Sequence, residues 1–195
     1  PCLAAEEFAA QVADRTDGRV QIEITTTSDM GFRARDVTLQ LVVDGTLDMA
    51  EIHSAHFQND GDQAFLDMLD LWGLYRDYET NAEVTEAVRE DIEGLIAERS
   101  GGVVLASLFY PSNYFFSKIP LRTQVDIQGL RIRSPNELSH DLLTGMGAIA
   151  EDVHFGSVYS GLQGGELGAA ISCSSCGAAL NWYDAAGYLV GPIPA

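Results

Sequence analysis

The residues best suited to chemistry sit in one short run, Ile127-Gln128-Gly129-Leu130-Arg131-Ile132-Arg133-Ser134-Pro135-Asn136. Leu130 to Ile132 has the make-up of a short strand that delivers Arg133 to its carboxyl end. Ser134-Pro135-Asn136 then opens a helix with capping and first-turn residues. An arginine beside a helix N-terminus can act as a carboxylate receptor, because a bidentate guanidinium and helix N–H groups can converge on one anion. The same arginine would equally suit a surface ion pair with one of the chain's 29 acidic residues. Arg131 shares the strand face of Arg133, so alternation does not decide which of them reaches a ligand.

Two other constellations carry reactive side chains. Glu51, His53 and His56 follow a stretch that reads as strand, and two imidazoles with a carboxylate can hold a metal. A metal-assisted hydrolase is therefore the enzymatic alternative, although the same residues also make an ordinary polar loop. Cys173-Ser174-Ser175-Cys176 can be a redox dithiol, half of a zinc site or a plain disulfide. Zinc would want two further soft ligands, and no second CxxC or nearby histidine supplies them. Cys2 stands alone at the start of a helical pattern. Neither GxGxxG after a strand, nor GxxxxGK[ST], nor GxSxG occurs, and the glycine-rich stretch from Gly161 to Gly168 suits a helix C-cap and turn. No cofactor is expected.

Composition bounds the partners. With 195 residues, 46% of them hydrophobic, the chain can build one large domain or two small lobes with real cores. Its 11 basic and 29 acidic residues give a net charge of −18, a field that repels nucleic acid and anionic lipid. Ten of the 11 basic residues are arginine, Lys118 being the exception, so an anion grip would use a guanidinium fork. No run reaches the roughly 18 apolar residues of a membrane span, and no signal peptide is expected within these residues. So acidic a surface also fits a salty habitat, where repulsion of an anionic ligand is screened over a few ångströms.

The elements that must position these side chains alternate between helix and strand. Apolar residues at helical spacing predict helices over 3–16, 36–43, 78–99, 137–146, 158–163 and 178–188. Alternating or continuous apolar runs predict strands over 20–24, 47–52, 103–110, 130–132, 149–153 and 169–172. Such alternation predicts an α/β protein with mostly parallel sheets flanked by helices. The pattern breaks around 109–117, which places a boundary between a first lobe, 1–110, and a second, 111–195. A crevice outside strand carboxyl ends is where open α/β sheets bind ligands.

The order of segments resembles the solute-binding proteins of tripartite ATP-independent periplasmic (TRAP) transporters. The matching pieces run from Phe8-Ala-Ala-Gln-Val through Asp44-Gly-Thr-Leu-Asp-Met-Ala and Phe65-Leu-Asp-Met-Leu-Asp-Leu-Trp-Gly-Leu. They continue with Phe116-Ser-Lys-Ile-Pro-Leu-Arg-Thr, Asp126-Ile-Gln-Gly-Leu-Arg-Ile-Arg and Val158-Tyr-Ser-Gly-Leu-Gln-Gly-Gly. The resemblance implies a periplasmic receptor with no catalysis. Two α/β lobes of a type II periplasmic-binding-protein-like fold would close on an organic acid and hand it to TRAP permease membrane subunits; a stand-alone ligand-sensing domain that works without a permease is the other reading. The family's signature arginine falls on Arg133, an aromatic wall on Phe155 and a polar ligand contact near Ser172. A second basic contact of some members falls where Ser112 and Asn113 stand, so that basic group is lost here.

Asn136, Asn113 and Tyr114 join the expected ligand-binding set, and Glu51 and Trp72 complete it. Gly168-Ala169 stands in place of the family's Asp-Gly, Ser157 in place of a Glu, and Trp72-Gly73 in place of Pro-Phe. The available rings imply an aromatic or apolar part of the pocket beside one carboxylate. Relative to the family pattern, the chain is expected to be truncated at both ends, with the return segments of both lobes missing.

Overall fold

The computed structural model describes residues 3–26, 29–31, 39–52, 66, 68–107 and 112–193. The chain divides into two compact units, Pro1–Val37 and Thr38–Ala195. In the first, helix α1 spans Leu3–Arg15, with Glu6 in its first turn and Arg15 in its last, where each complements the helix dipole.

In the second unit, α2 (Leu39–Val43) is followed by α3 (Tyr78–Ala87) and α4 (Arg89–Ser100). The single helix expected over 78–99 is thus broken at Val88, whose φ of −105° and ψ of 12° leave the helical region although the apolar period runs through it. Asp77 starts α3. Its Oδ1 accepts from the Thr80 backbone N–H at 2.9 Å and from the Thr80 hydroxyl at 2.5 Å, and its Oδ2 accepts from Arg76 Nε at 2.9 Å. The bonds from Thr80, and then the one from Arg76, hold this carboxyl down at about 2. A folded-state value below the unfolded one means that the cap's contribution is complete above about pH 4 and fades as pH falls toward 2. Thermal melts between pH 2 and 5 are expected to show the wild type losing stability relative to Asp77→Asn, a variant that caps without titrating.

The sheet lies entirely within 113–193. Its strands are β1 (Asn113–Ser117), β2 (Arg131–Arg133), β3 (Ile149–Glu151), β4 (Ala169–Cys173) and β5 (Tyr188–Ile193), in the order β3-β2-β4-β1-β5. β2 runs parallel to β3 and β4, whereas β1 runs antiparallel to β4 and β5. The sheet is therefore mixed rather than mostly parallel. The difference comes from β1 and β5, which lie where sequence showed a broken pattern and the end of a helix. Pro192 is tolerated in β5 because that strand is an edge, where a missing N–H costs no ladder bond.

The pleat sorts the sheet into two faces. Ile132, Ala169 and Ile171 share one core with Leu143 of α5 (Glu137–Gly145). Phe116 and Ala170 share the other with Val158 and Leu162 of α6 (Val158–Gly164) and with Trp182 of α8 (Trp182–Ala185). Between β4 and α8, helix α7 (Ser174–Ala179) approaches β1 so closely that a Cβ at Gly177 would lie 2.1 Å from Phe116 Cζ. A Cβ at Gly168 would likewise meet Leu130 Cδ1 at 2.1 Å, so a side chain such as the aspartate of the family pattern would require Leu130 to move.

Three strand expectations fail over described residues. Residues 20–24, 47–52 and 103–107 carry no strand. Val103 is 82% exposed, the opposite of a strand buried on both faces. An apolar run becomes strand only when a neighbouring strand takes its backbone groups, and no such neighbour occurs among the described residues. Residues 36–38 and 108–110 of the expected elements lie outside the described set.

Candidate functional site

The approach to Arg133 is fixed locally. The Thr123 and Asp126 side chains cap the 3₁₀ turn Gln124–Ile127, and Gly129, at φ 70°, turns the chain into β2 with its N–H on the Gly147 carbonyl at 2.8 Å. Ile132 is fully buried on the α5 face, which sends Arg133 to the opposite face. There Arg133 is only 9% exposed. Its Nε donates to the Val153 carbonyl at 3.3 Å and its Nη1 to the Ile171 carbonyl at 2.9 Å.

An aromatic column stands beside it. Arg133 Cζ lies 5.7 Å from the Phe155 ring centroid, and Phe155 lies 5.0 Å from Trp182. Trp182 in turn meets Phe116 edge-on at 5.5 Å. Burying a guanidinium is costly, and here backbone carbonyls and a ring face offset the lost hydration. The result is a pre-oriented cation at the carboxyl end of β2, with Phe155 as its partly exposed cover. A carboxylate arriving in so dry a setting would be held more strongly than at a wet surface.

Burial also separates the two arginines that alternation left equivalent. The Arg131 side chain is 57% exposed and Nη2 pairs with Glu151 Oε1 at 2.8 Å. An ion pair of that exposure contributes at most about 1 kcal/mol. Arg131→Ala is therefore expected to leave the melting temperature within about 2–4 °C of wild type, and a larger drop in a thermal melt would contradict the assignment of Arg131 to the surface.

Of the other residues singled out from sequence, Ser172 and Tyr114 come together. They are direct cross-strand partners on β4 and β1, and Ser172 is buried. They share the face of Ala170, the register partner of Arg133. Asn113 alternates to the other face, and Trp72 packs there too, 6.4 Å edge-on from Phe115. Asn136 caps α5: its Oδ1 accepts from the Ser139 N–H at 2.8 Å and from the Ser139 hydroxyl at 2.5 Å. The convergence of guanidinium and helix N–H groups read from the sequence is corrected accordingly, since α5 packs on the face opposite Arg133 and Asn136 already serves its first turn. Glu51 is exposed, while His53 and His56 lie outside the described residues.

Cys173 and Cys176 form a disulfide, which sets aside the half-zinc-site reading of that pair. Two features had no sequence signal: the carbonyls of Val153 and Ile171 as arginine acceptors, and the order Phe116, Trp182, Phe155 of the column. Trp182 is fully buried, and its Nε1–H has no hydrogen-bond partner among the described residues.

The described residues thus build one mixed α/β sheet with helices on both faces and a buried arginine at the carboxyl end of β2. Solved structures share that fold. One is a TRAP periplasmic solute-binding protein of Chromohalobacter salexigens with bound D-glucuronate, at TM-score 0.82 and 22% identity, matching 95% of this chain and 61% of that one. Another is an extracytoplasmic solute receptor of Bordetella pertussis binding pyroglutamic acid, at TM-score 0.83 and 20% identity, matching 95% and 60%.

The chain belongs to the bacterial extracellular solute-binding proteins, family 7 (DctP), whose model matches residues 2–190. A solute-binding protein of Roseobacter denitrificans is 28% identical over 168 residues, covering 85% of this chain and 50% of that protein. The chain thus spans about half the length of this curated relative.

Proposed function

We propose that this chain is part of a periplasmic receptor that binds a small organic acid and delivers it to TRAP-type membrane permease subunits. Arg133 clamps the ligand carboxylate, Phe155 covers the clamp, and Ser172 and Tyr114 offer hydroxyls on the same face. The clamp lies within residues 111–195, the second lobe expected from sequence. Binding and closure are the whole activity, with no bond made or broken.

The observation that carries this reading is the buried, carbonyl-held guanidinium under Phe155. Family membership supports it, as do the D-glucuronate and pyroglutamate bound by proteins of the same fold. Closure suits a clamp of this kind, because excluding water strengthens the ion pair and the closed form differs from the open one in what a membrane partner meets.

Thermal-shift and calorimetric titration of the purified protein with D-glucuronate, pyroglutamate and malonate tests the proposal. A ligand at a hundred times its Kd adds about 2.7 kcal/mol of stability by mass action. A rise in melting temperature with at least one acid, absent with the corresponding uncharged alcohol or amide, is expected. No response to any of the three would contradict it.

A further inference from the structure

The receptor reading makes no use of the Cys173–Cys176 pair, yet that pair lies at the edge of the candidate site. Cys173 is the last residue of β4, directly after Ser172 and two residues after Ile171, whose carbonyl takes the Arg133 bond. It also begins α7, its Sγ accepting from the Cys176 N–H at 3.1 Å. The disulfide therefore closes a four-residue ring that ties the end of β4 to the first turn of α7.

Two physical routes lead from this ring to the guanidinium. The first runs back along β4, through Ser172 to the Ile171 carbonyl and Arg133 Nη1. The second runs through α7, where Gly177 rests on Phe116, and onward through Trp182 and Phe155 to Arg133. Close-packed aromatic columns transmit small displacements because they have no slack to absorb them.

We propose that Cys173–Cys176 is a thiol–disulfide exchange site and that its oxidation state sets the affinity of the Arg133 site for carboxylates. The reductant is an external dithiol. Cys173 is buried, only 4% exposed, while Cys176 is half-buried, so access directs attack to Cys176. A thiolate of the dithiol attacks Cys176 Sγ, the S–S bond breaks, and Cys173 leaves with the electron pair and takes up a proton. The dithiol's second thiolate then attacks the mixed disulfide, releasing Cys176 as a thiolate that is protonated in turn. Two electrons pass to the protein, which gains two thiols, and the dithiol becomes a disulfide. With the ring open, the end of β4 and the first turn of α7 are no longer covalently joined, and both routes to Arg133 lose that restraint.

This inference rests on the carboxylate-receptor reading, and its test separates the two. The protein carrying Cys2→Ser, so that one thiol pair remains, is titrated calorimetrically with D-glucuronate, pyroglutamate and malonate, oxidised and after dithiothreitol, with thiol counting to confirm reduction. The oxidised form is expected to bind at least one acid. Reduction is expected to weaken that binding at least about fivefold, the lower end of ordinary coupling between linked sites. A Cys173→Ser/Cys176→Ser variant, checked for retained fold by circular dichroism, should bind like the reduced form in either buffer. Equal affinity in the oxidised and fully reduced protein would overturn the inference and leave the receptor reading intact. Binding of none of the three acids by the oxidised protein would overturn both.

Discussion

Arg133→Ala is expected to weaken carboxylate binding by more than about 100-fold, which corresponds to about 2.7 kcal/mol at 25 °C. Removing one partner of a desolvated charge pair costs in the range of about 2–5 kcal/mol. The effect is not confined to binding. Sequence alone would place Arg133 at the surface or in an open cleft, where its loss would hardly change a melting curve. The structure holds it instead against the carbonyls of Val153 and Ile171 and under Phe155. Those carbonyls lose a charged donor in the variant, a loss of roughly 1–3 kcal/mol in stability. Arg133→Lys separates the contributions. The charge survives, but one ammonium lacks the planar fork that spans both carbonyls, so affinity should fall about tenfold or more while the fold persists. Calorimetry with D-glucuronate or pyroglutamate reads the affinity and thermal melts read the stability. An unchanged Kd in Arg133→Ala would remove Arg133 from the site.

The largest stability effect is expected at Trp182. It is completely buried, touches Phe116 on one side and Phe155 on the other, and belongs to the core under α6. Trp182→Ala should cost about 3–5 kcal/mol through lost burial and the cavity left behind. At 2–4 °C per kcal/mol for a chain of this size, the melting temperature would fall by roughly 6–20 °C. Phe155 would lose its backing, so carboxylate affinity should fall as well. Trp182→Phe is expected to behave differently. It keeps a ring in the column and removes the Nε1–H, a buried donor without a partner among the described residues. Leaving such a donor unsatisfied costs about 1–3 kcal/mol, which offsets much of the smaller ring's cavity. The two variants should therefore differ by several degrees in a melt, and equal losses would show that the indole N–H is satisfied in solution.

Much of the sheet was legible where local patterning and tertiary context agree. β2, β3 and β4 sit close to their expected positions, as do α5 and α6, because each couples a short apolar run to cap or turn residues that stop it. Asn136 illustrates this: the run Ser134-Pro135-Asn136 before an apolar helical period reads as a helix opening, and the structure places the N-cap at Asn136. β1 was not legible. Asn113-Tyr-Phe-Phe-Ser117 follows Pro111 and Ser112 and mixes faces, since Phe115 packs toward Trp72 and Phe116 toward Trp182. A strand buried on both sides shows no alternation to detect. β5 was hidden by Gly191 and Pro192, which argue against a strand unless its position at the sheet edge is known.

The site divides along the same line. Arg133 could be picked out because a cation at a strand end is a local feature, and Phe155 and Ser172 through resemblance to a family. The acceptors on Val153 and Ile171 are backbone atoms, so residue types carry no record of them. Whether Arg131 or Arg133 is the buried one depends on the neighbouring strands. β4 and the segment around Val153 enclose Arg133 and leave Arg131 to Glu151.

The most direct test of the central claim is a crystal structure of the protein with the tightest-binding acid of the D-glucuronate, pyroglutamate and malonate series. The ligand carboxylate is expected on the Arg133 guanidinium at the ~2.7–2.9 Å of a charge-assisted pair, beside Phe155 and on the face of Ser172 and Tyr114. A carboxylate bound elsewhere, with Arg133 unengaged by the ligand, would contradict it.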